Sequence, residues 1–250
     1  MSTINQKEIE KFTSMADEWW SETGKFKPLH KFNPCRISYL REKIIDHFSN
    51  AASENSSTEQ YPLKNLKILD VGCGGGLLCE PLKRLGADIV GIDAGKANIE
   101  IAKIHAEKSD LKIDYRSQDV EELSRTDEKF DVVLAMEIIE HVEDVEKFLI
   151  AIKSCLKPNG ILFVATLNRT AKSYINAIIG AEYILRWLPR GTHDWKKFLK
   201  PSEINQIAEN NDLKIKDLSG FSYNLLKDQW KRSEDVSINY VLAYELRLND

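Results

Sequence analysis

The sequence predicts an α/β fold with a mostly parallel sheet covered on both faces, and three observations carry that prediction. From residue 66 onward, short apolar runs alternate with amphipathic stretches of helical period, the rhythm of repeated βα units. The first run, LKILDV, ends in Gly72, Gly74, Gly75 and Gly76, four glycines within five positions. Such a turn leads into a helix whose first amide hydrogens point back at the strand end. Asp93 then closes the second run 23 residues after Asp70, where an acid can accept the hydroxyls of a ribose.

The chain has 250 residues, enough for one large domain with appendages. Its net charge of −4 argues against a nucleic-acid partner. Cys35, Cys73, Cys79 and Cys155 follow neither metal-site nor disulfide-framework spacing, so Cys35 and Cys155 are expected to be reduced thiols. The N-terminal residues lack the apolar core of a signal peptide, and no uncharged apolar run reaches membrane-spanning length. The expected location is cytoplasmic, with peripheral contact at the inner face of the membrane left open.

In chain order, residues 5–20 read as an amphipathic helix with Ile9, Phe12, Ala16, Trp19 and Trp20 on one face. It either packs on the main domain or forms a lid over a site, and the two are compatible. Residues 24–36 read as an irregular basic and aromatic stretch. Asn33 and Pro34 then read as N-cap and first residue of a helix with the stripe Ile37, Leu40, Ile44 and Phe48. This puts Arg36 in a first turn, where a cation gains nothing from the helix dipole. Residues 49–61 are polar and serine-rich, a linker.

Strands are then expected at 66–71, 88–92, 111–115, 130–135 and 161–167, with helices at 77–85, 96–108 and 145–156 and a turn at 157–160. Residues 169–200 break the rhythm with an apolar insertion that has basic ends. It reads as a cap over the site mouth or as an element meeting a lipid surface. A helix at 202–209 and a strand at 213–218 follow. The alternation of Val236, Ile238, Tyr240, Leu242, Tyr244 and Leu246 predicts a final antiparallel strand at 235–246.

The glycine turn suits two kinds of cofactor. A dinucleotide fingerprint needs a third glycine, but Leu77 and Cys79 occupy the positions it would take. The pattern present is D-x-G-x-G, and Asp70 inside the strand end sits poorly beside a pyrophosphate. An amino-bearing, cationic ligand suits it: S-adenosylmethionine carries an ammonium, a sulfonium and a ribose. The candidate contacts are Asp70, Gly72 and Gly74 in the turn, Asp93 for the ribose and Asp119 beyond the third strand, where an adenine would lie.

A second constellation, MEIIEHV, follows the fourth strand at 136–142. If helical, it sets Glu137, Glu140 and His141 on one face. Three readings stay open from spacing alone: a divalent cation on oxygen-rich ligands, Mg²⁺ rather than Zn²⁺; a general base at His141; or an acidic helix start with only structural value. Met136 could pack against the methyl donor. His193, in the insertion, is a second candidate base.

The stretch LDVGCGGG resembles the first motif of the class I S-adenosylmethionine-dependent methyltransferases. Together with FKPLHKFNPCR (26–36), MEIIEHV, TLNRTAKSY (166–174) and GAEYILRWLPRGTHDWKKFLKP (180–201), it resembles more narrowly the O-methyltransferase family of ubiquinone biosynthesis, over nearly the whole chain. The resemblance implies a Rossmann-like class I methyltransferase fold: a mostly parallel seven-stranded sheet with a final antiparallel strand, preceded by N-terminal helices. Residues 1–61 would form part of a substrate and cofactor lid, and 62–250 the methyltransferase domain, with 169–200 as an apolar cap or membrane contact.

It also implies O-methylation of polyprenylated catechols or hydroquinols, and contact with other quinone-biosynthesis proteins. Methylation of another small catechol-like metabolite is the alternative. By resemblance, Arg36, Gly72, Asp93 and Met136 match the family's cofactor contacts, and Glu137, Glu140 and His141 match positions proposed for magnesium. His141, Glu140 and His193 are the candidate catalytic residues.

Overall fold

The computed structural model describes residues 3–49, 60–175, 194–224 and 227–247. Its centre is an eight-stranded sheet in the order β3-β2-β1-β4-β5-β8-β6-β7. The seven expected strands are all present, and an eighth joins them at the edge. Strands β1 (Lys67–Val71), β2 (Asp88–Asp93), β3 (Asp114–Ser117), β4 (Phe130–Met136) and β5 (Leu156–Leu167) pair in parallel. The last strand, β8 (Asn239–Leu246), lies antiparallel between β5 and β6 (Leu213–Asn224).

The two covered faces follow from side-chain alternation. Ile68, Val132, Leu134 and Phe163 face one apolar layer, with Tyr39, Leu40 and Ile44 of the N-terminal region packed into it. Leu69, Val71, Val133, Leu162, Tyr240 and Leu242 face the other, beneath Phe148, Leu149 and Ile204. The helices between strands are α3 (Cys79–Arg84), α4 (Lys96–Lys108), α5 (Val120–Leu123), α6 (Val145–Ser154), the single turn α7 (Ala171–Ser173) and α8 (Pro201–Asn210).

Strand β5 begins at Leu156, not at residue 161, because Leu156 already pairs with Phe130, so the turn expected at 157–160 falls inside the strand's bounds next to a register irregularity; four further boundaries also differ for physical reasons. The first helix, α1 (Gln6–Thr13), stops short of residue 20, and the chain continues into a 3₁₀ turn at Ala16–Glu18. Helix α2 runs Lys27–Ser49 with Pro34 inside it, so Asn33 and Pro34 do not open it and Arg36 is not in its first turn. Tertiary partners carry the helix through the proline: Phe32 is buried in the core, and the Asn33 amide donates to the Leu77 carbonyl at 2.6 Å. Strand β3 starts at Asp114, not at residue 111, because only from there does the chain pair with Val90. Strand β6 continues past residue 218 into a hairpin with β7 (Gln229–Ser233), whose polar sequence gave no apolar alternation to read.

Among the described residues no helix is long and apolar enough to cross a membrane. All four cysteines are free thiols. The linker at 50–59 and the insertion at 176–193, which includes His193, lie outside the described residues.

Candidate active site

The carboxyl ends of β1, β2 and β4 open into one cavity of about 670 Å³. Parallel strands bring their ends to one edge, and ligands of such folds bind there. The cavity is lined by Arg36, Asp70, Gly72, Gly74, Asp93, Asp119, Met136, Glu137, Glu140 and His141. Every candidate within the described residues is therefore at one site.

On the cofactor side, Gly72, Gly74 and Gly76 all take positive φ, the conformation that favours glycine. The lack of a Cβ serves the protein's own packing. A Cβ on Gly74 or Gly75 would run into the indole of Trp19, and one on Gly72 would meet Ile138 at 2.8 Å. Trp19 thus packs over the turn, stacked on Phe26 at 3.8 Å and donating through Nε1 to Asn98 at 3.0 Å. Trp20 donates to the carbonyl of Gly75 at 2.9 Å.

Asp93 is held in place by three donors: the amides of Gly74 (3.0 Å) and Gly95 (2.7 Å) and the side chain of Asn98 (3.1 Å). Burial nonetheless raises its pKa. Asp70 accepts from the Cys79 thiol at 3.2 Å, and burial pushes it up to about 7. Arg36 is 3% exposed, its guanidinium beside Glu137 and Asp70, and its buried Nε has no hydrogen-bond partner among the described residues. That orphaned donor, in a cavity with carboxylates at β1 and β2, fits a ligand bearing both a carboxylate and hydroxyls. Asp119 caps α5 by accepting from the Glu122 amide at 2.7 Å while lining the cavity.

On the acceptor side, the helical reading of MEIIEHV is corrected. Glu137 turns off the end of β4 with φ of 58°, its amide donating to Ala165 at 3.0 Å. Only Ile139–His141 forms a 3₁₀ turn. The three side chains therefore do not share one helical face. Glu140 is buried and accepts from the Thr166 hydroxyl at 2.8 Å. Burial, then the neighbouring Glu137 charge, raise it to about 8. His141 turns instead to α1, its Nδ1 3.3 Å from Glu8 Oε2. Among the described residues, no three His, Cys, Asp or Glu side chains are grouped to hold a metal ion.

Sequence reading missed Glu8, Thr166 and the aromatic wall of Phe32, Phe221 and Trp230. The ring of Phe32 lies 5.1 Å from Phe221 and 4.4 Å from Trp230. It also missed that Thr3 bonds Glu121 through both its amide and its hydroxyl while accepting from the Glu143 amide at 2.9 Å. These contacts join distant segments, so no local pattern signals them.

Comparison with known proteins agrees with this geometry. A family model described as a methyltransferase domain matches residues 37–218. The ubiquinone biosynthesis O-methyltransferase of Pelagibacter ubique is 55% identical over 244 residues, covering 98% of this chain and 99% of that protein. The enzyme of the same name from Bartonella bacilliformis is 54% identical over 241 residues, covering 96% and 95%. Among solved structures, an S-adenosylmethionine-dependent methyltransferase from Clostridium acetobutylicum gives a TM-score of 0.59 at 16% identity, over 95% of this chain and 98% of that one. The magnesium protoporphyrin IX methyltransferase of Synechocystis with bound S-adenosylmethionine gives 0.56 at 14% identity, over 95% and 97%. The structural likenesses concern the fold alone.

Proposed function

Because this chain belongs to the family of ubiquinone biosynthesis O-methyltransferases, we propose that it methylates two polyprenylated substrates with S-adenosylmethionine. One is a 3-polyprenylbenzene-1,2-diol (2-polyprenyl-6-hydroxyphenol). The other is 3-demethylubiquinol, which becomes ubiquinol. The observation that carries the reading is the continuity of one cavity from the glycine turn and Asp93 to Glu137, Glu140, His141 and the aromatic wall.

When bound, S-adenosylmethionine supplies a methyl group on a cationic sulfur, open to in-line displacement by an oxygen nucleophile. Asp93 accepts the ribose hydroxyls, for which its donors leave room: among the described residues Oδ2 takes the Gly74 amide alone. Arg36 Nε is directed to the carboxylate at the methionine end, and Asp70 to its ammonium. Met136, 6% exposed at the end of β4, packs between donor and acceptor. Together they supply orientation, a large share of the rate.

A phenolic hydroxyl has a pKa near 10, so it needs a base at neutral pH. His141 takes that proton, as a neutral imidazole can near pH 7. Glu140 accepts from Thr166, and its burial and the Glu137 charge beside it favour its protonated form.

A second reading has a specific support. Two carboxyl groups at Glu137 and Glu140, one half-buried and one buried at the same cavity, offer hard oxygen donors that suit Mg²⁺. Glu137 and Glu140 would hold it, and His141 would have to leave Glu8 to complete the set. Such an ion would lower the pKa of a phenolic hydroxyl brought to it.

The N-terminal helices act as a lid over cofactor and substrate, and residues 169–200 meet the bilayer that holds the polyprenyl tail. Support for the latter is the apolar, basic-ended sequence. The test of the whole reading is methyl transfer to a short-chain prenylated catechol, with Mg²⁺ present and after exhaustive chelation. Product in both conditions supports base catalysis by His141. Product only with Mg²⁺ selects the second reading. No product from a protein that binds S-adenosylmethionine overturns the assignment.

A further inference from the structure

We propose that Glu8 is a positioning residue for the methyl acceptor chemistry: its carboxylate orients the His141 imidazole, so that the active site is complete only when α1 covers it.

Glu8 stands in the first turn of α1, which Asn5 caps by accepting from the amides of Lys7 (3.1 Å) and Glu8 (3.3 Å). An acid there has a local use, since it complements the helix dipole. Its surroundings give it a second one. The two carboxylate oxygens are divided between two other parts of the chain. Oε1 accepts from Lys197 Nζ at 3.0 Å, in the Trp195–Lys197 turn. Oε2 lies 3.3 Å from His141 Nδ1, within ion-pair distance but short of a well-aligned hydrogen bond, the loose geometry that catalytic contacts have before a site is filled. One turn along α1, Phe12 meets the imidazole edge-on, with centroids 5.1 Å apart and planes at 82°. The ring is thus held at one nitrogen and one face by the same helix. The His141 side chain is only 11% exposed, so few other orientations are open to it.

A carboxylate at Nδ1 fixes which tautomer the ring adopts and leaves Nε2 as the nitrogen facing away from Glu8. Orientation by Glu8 serves either chemistry, because histidines that act as bases and histidines that bind metals both use such a partner. Glu8 and His141 are 133 positions apart in the sequence, and the segment bearing Glu8 is itself fastened by Thr3 to Glu121 and Glu143. The same docked segment therefore carries the group that aims the imidazole.

The inference rests on the methyltransferase reading, so its test includes a readout independent of turnover. The full-length protein is compared with Glu8→Ala and with Glu8→Gln combined with Lys197→Met. Steady-state methyl transfer to a prenylated catechol gives kcat and KM. Calorimetry gives the affinity for S-adenosylhomocysteine, and ¹⁵N NMR reports the tautomer of His141. The expected result for Glu8→Ala is a kcat lower by about 10- to 100-fold, unchanged cofactor-product affinity and loss of the single-tautomer signature. Glu8→Gln combined with Lys197→Met, which removes the ammonium that would compete for the one amide oxygen, lets that oxygen accept from Nδ1–H and restores both kcat and signature. The proposal is overturned if Glu8→Ala keeps the wild-type kcat or the wild-type tautomer signature. It is also overturned if that variant loses cofactor-product affinity in step with kcat, since Glu8 would then only fasten the cover. A wild-type protein with the single-tautomer signature but no turnover would instead refute the substrate assignment.

Discussion

The two halves of the cavity are built in different ways. The cofactor half comes from one continuous stretch, β1 and its glycine turn, and from Asp93 at the end of the adjacent strand, with Arg36 added from α2. Its geometry is fixed by the parallel register of β1 and β2 and by backbone amides that hold Asp93. The acceptor half draws on Glu8, Glu140, His141, Thr166 and Lys197, and their contacts cross four separate segments. On the proposed roles, both halves take a contribution from the N-terminal cover, Trp19 and Trp20 on the glycine turn and Glu8 beside His141, but only the binding half has its carboxylate fixed by local backbone amides. Each half should fail separately when its own residues are changed.

The largest expected effect is on turnover alone. His141→Ala should lower kcat by about 10²- to 10⁴-fold, the usual span for a lost general base, while calorimetry shows S-adenosylhomocysteine affinity within about twofold of wild type. Glu140→Gln should follow the same pattern with a smaller loss, because the neutral amide still meets Thr166. An equal loss of affinity in either variant would break the separation of halves. Asp93→Ala should do the opposite. Removing a buried carboxylate that receives the ribose should weaken S-adenosylhomocysteine by about 10- to 100-fold, since hydrogen bonds to charged groups contribute roughly 1.5–3 kcal/mol. Turnover at saturating cofactor should change far less.

Gly74→Ala should cost stability as well as affinity. The backbone there has φ of 53°, and the new methyl group would displace Trp19 from the turn. The expected loss is about 1–3 kcal/mol, read as a lower Tm together with an altered tryptophan fluorescence maximum.

The smallest effect lies outside both halves. Hydrogen bonds from the Arg116 guanidinium lower Glu128 from 4.5 to about 2. A carboxyl depressed on folding adds stability above its unfolded pKa and loses it as pH falls through the folded value. Glu128→Gln should therefore lower Tm at pH 7, and the two melting curves should converge between pH 4.5 and 2. Methyl transfer should not change.

The same contrast explains what the sequence revealed. The helix Lys96–Lys108 and the D-x-G-x-G turn were legible because short-range period and glycine spacing determine them. So was the return strand Asn239–Leu246, whose alternating apolar residues span two packed layers. Pro34 misled, because a local rule that starts helices at proline was overridden by the packing of Phe32 and the contact of Asn33 with Leu77. MEIIEHV misled in the same sense. Its residue types suit a helix, but the positive φ at Glu137 and the pull of Glu8 on His141 decide where its side chains go. Glu8 itself reads as one acid among many at a helix start, and only the fold reveals its partner.

The most direct test of the central claim is a paired measurement on wild type and His141→Ala. Transfer of a labelled methyl group from S-adenosylmethionine to a short-chain prenylated catechol is followed alongside S-adenosylhomocysteine affinity. The expected result is a methoxyphenol product from the wild type, its near loss in the variant and equal affinity in both. A variant as active as wild type, or a wild type that binds the cofactor and methylates no catechol, would contradict the account.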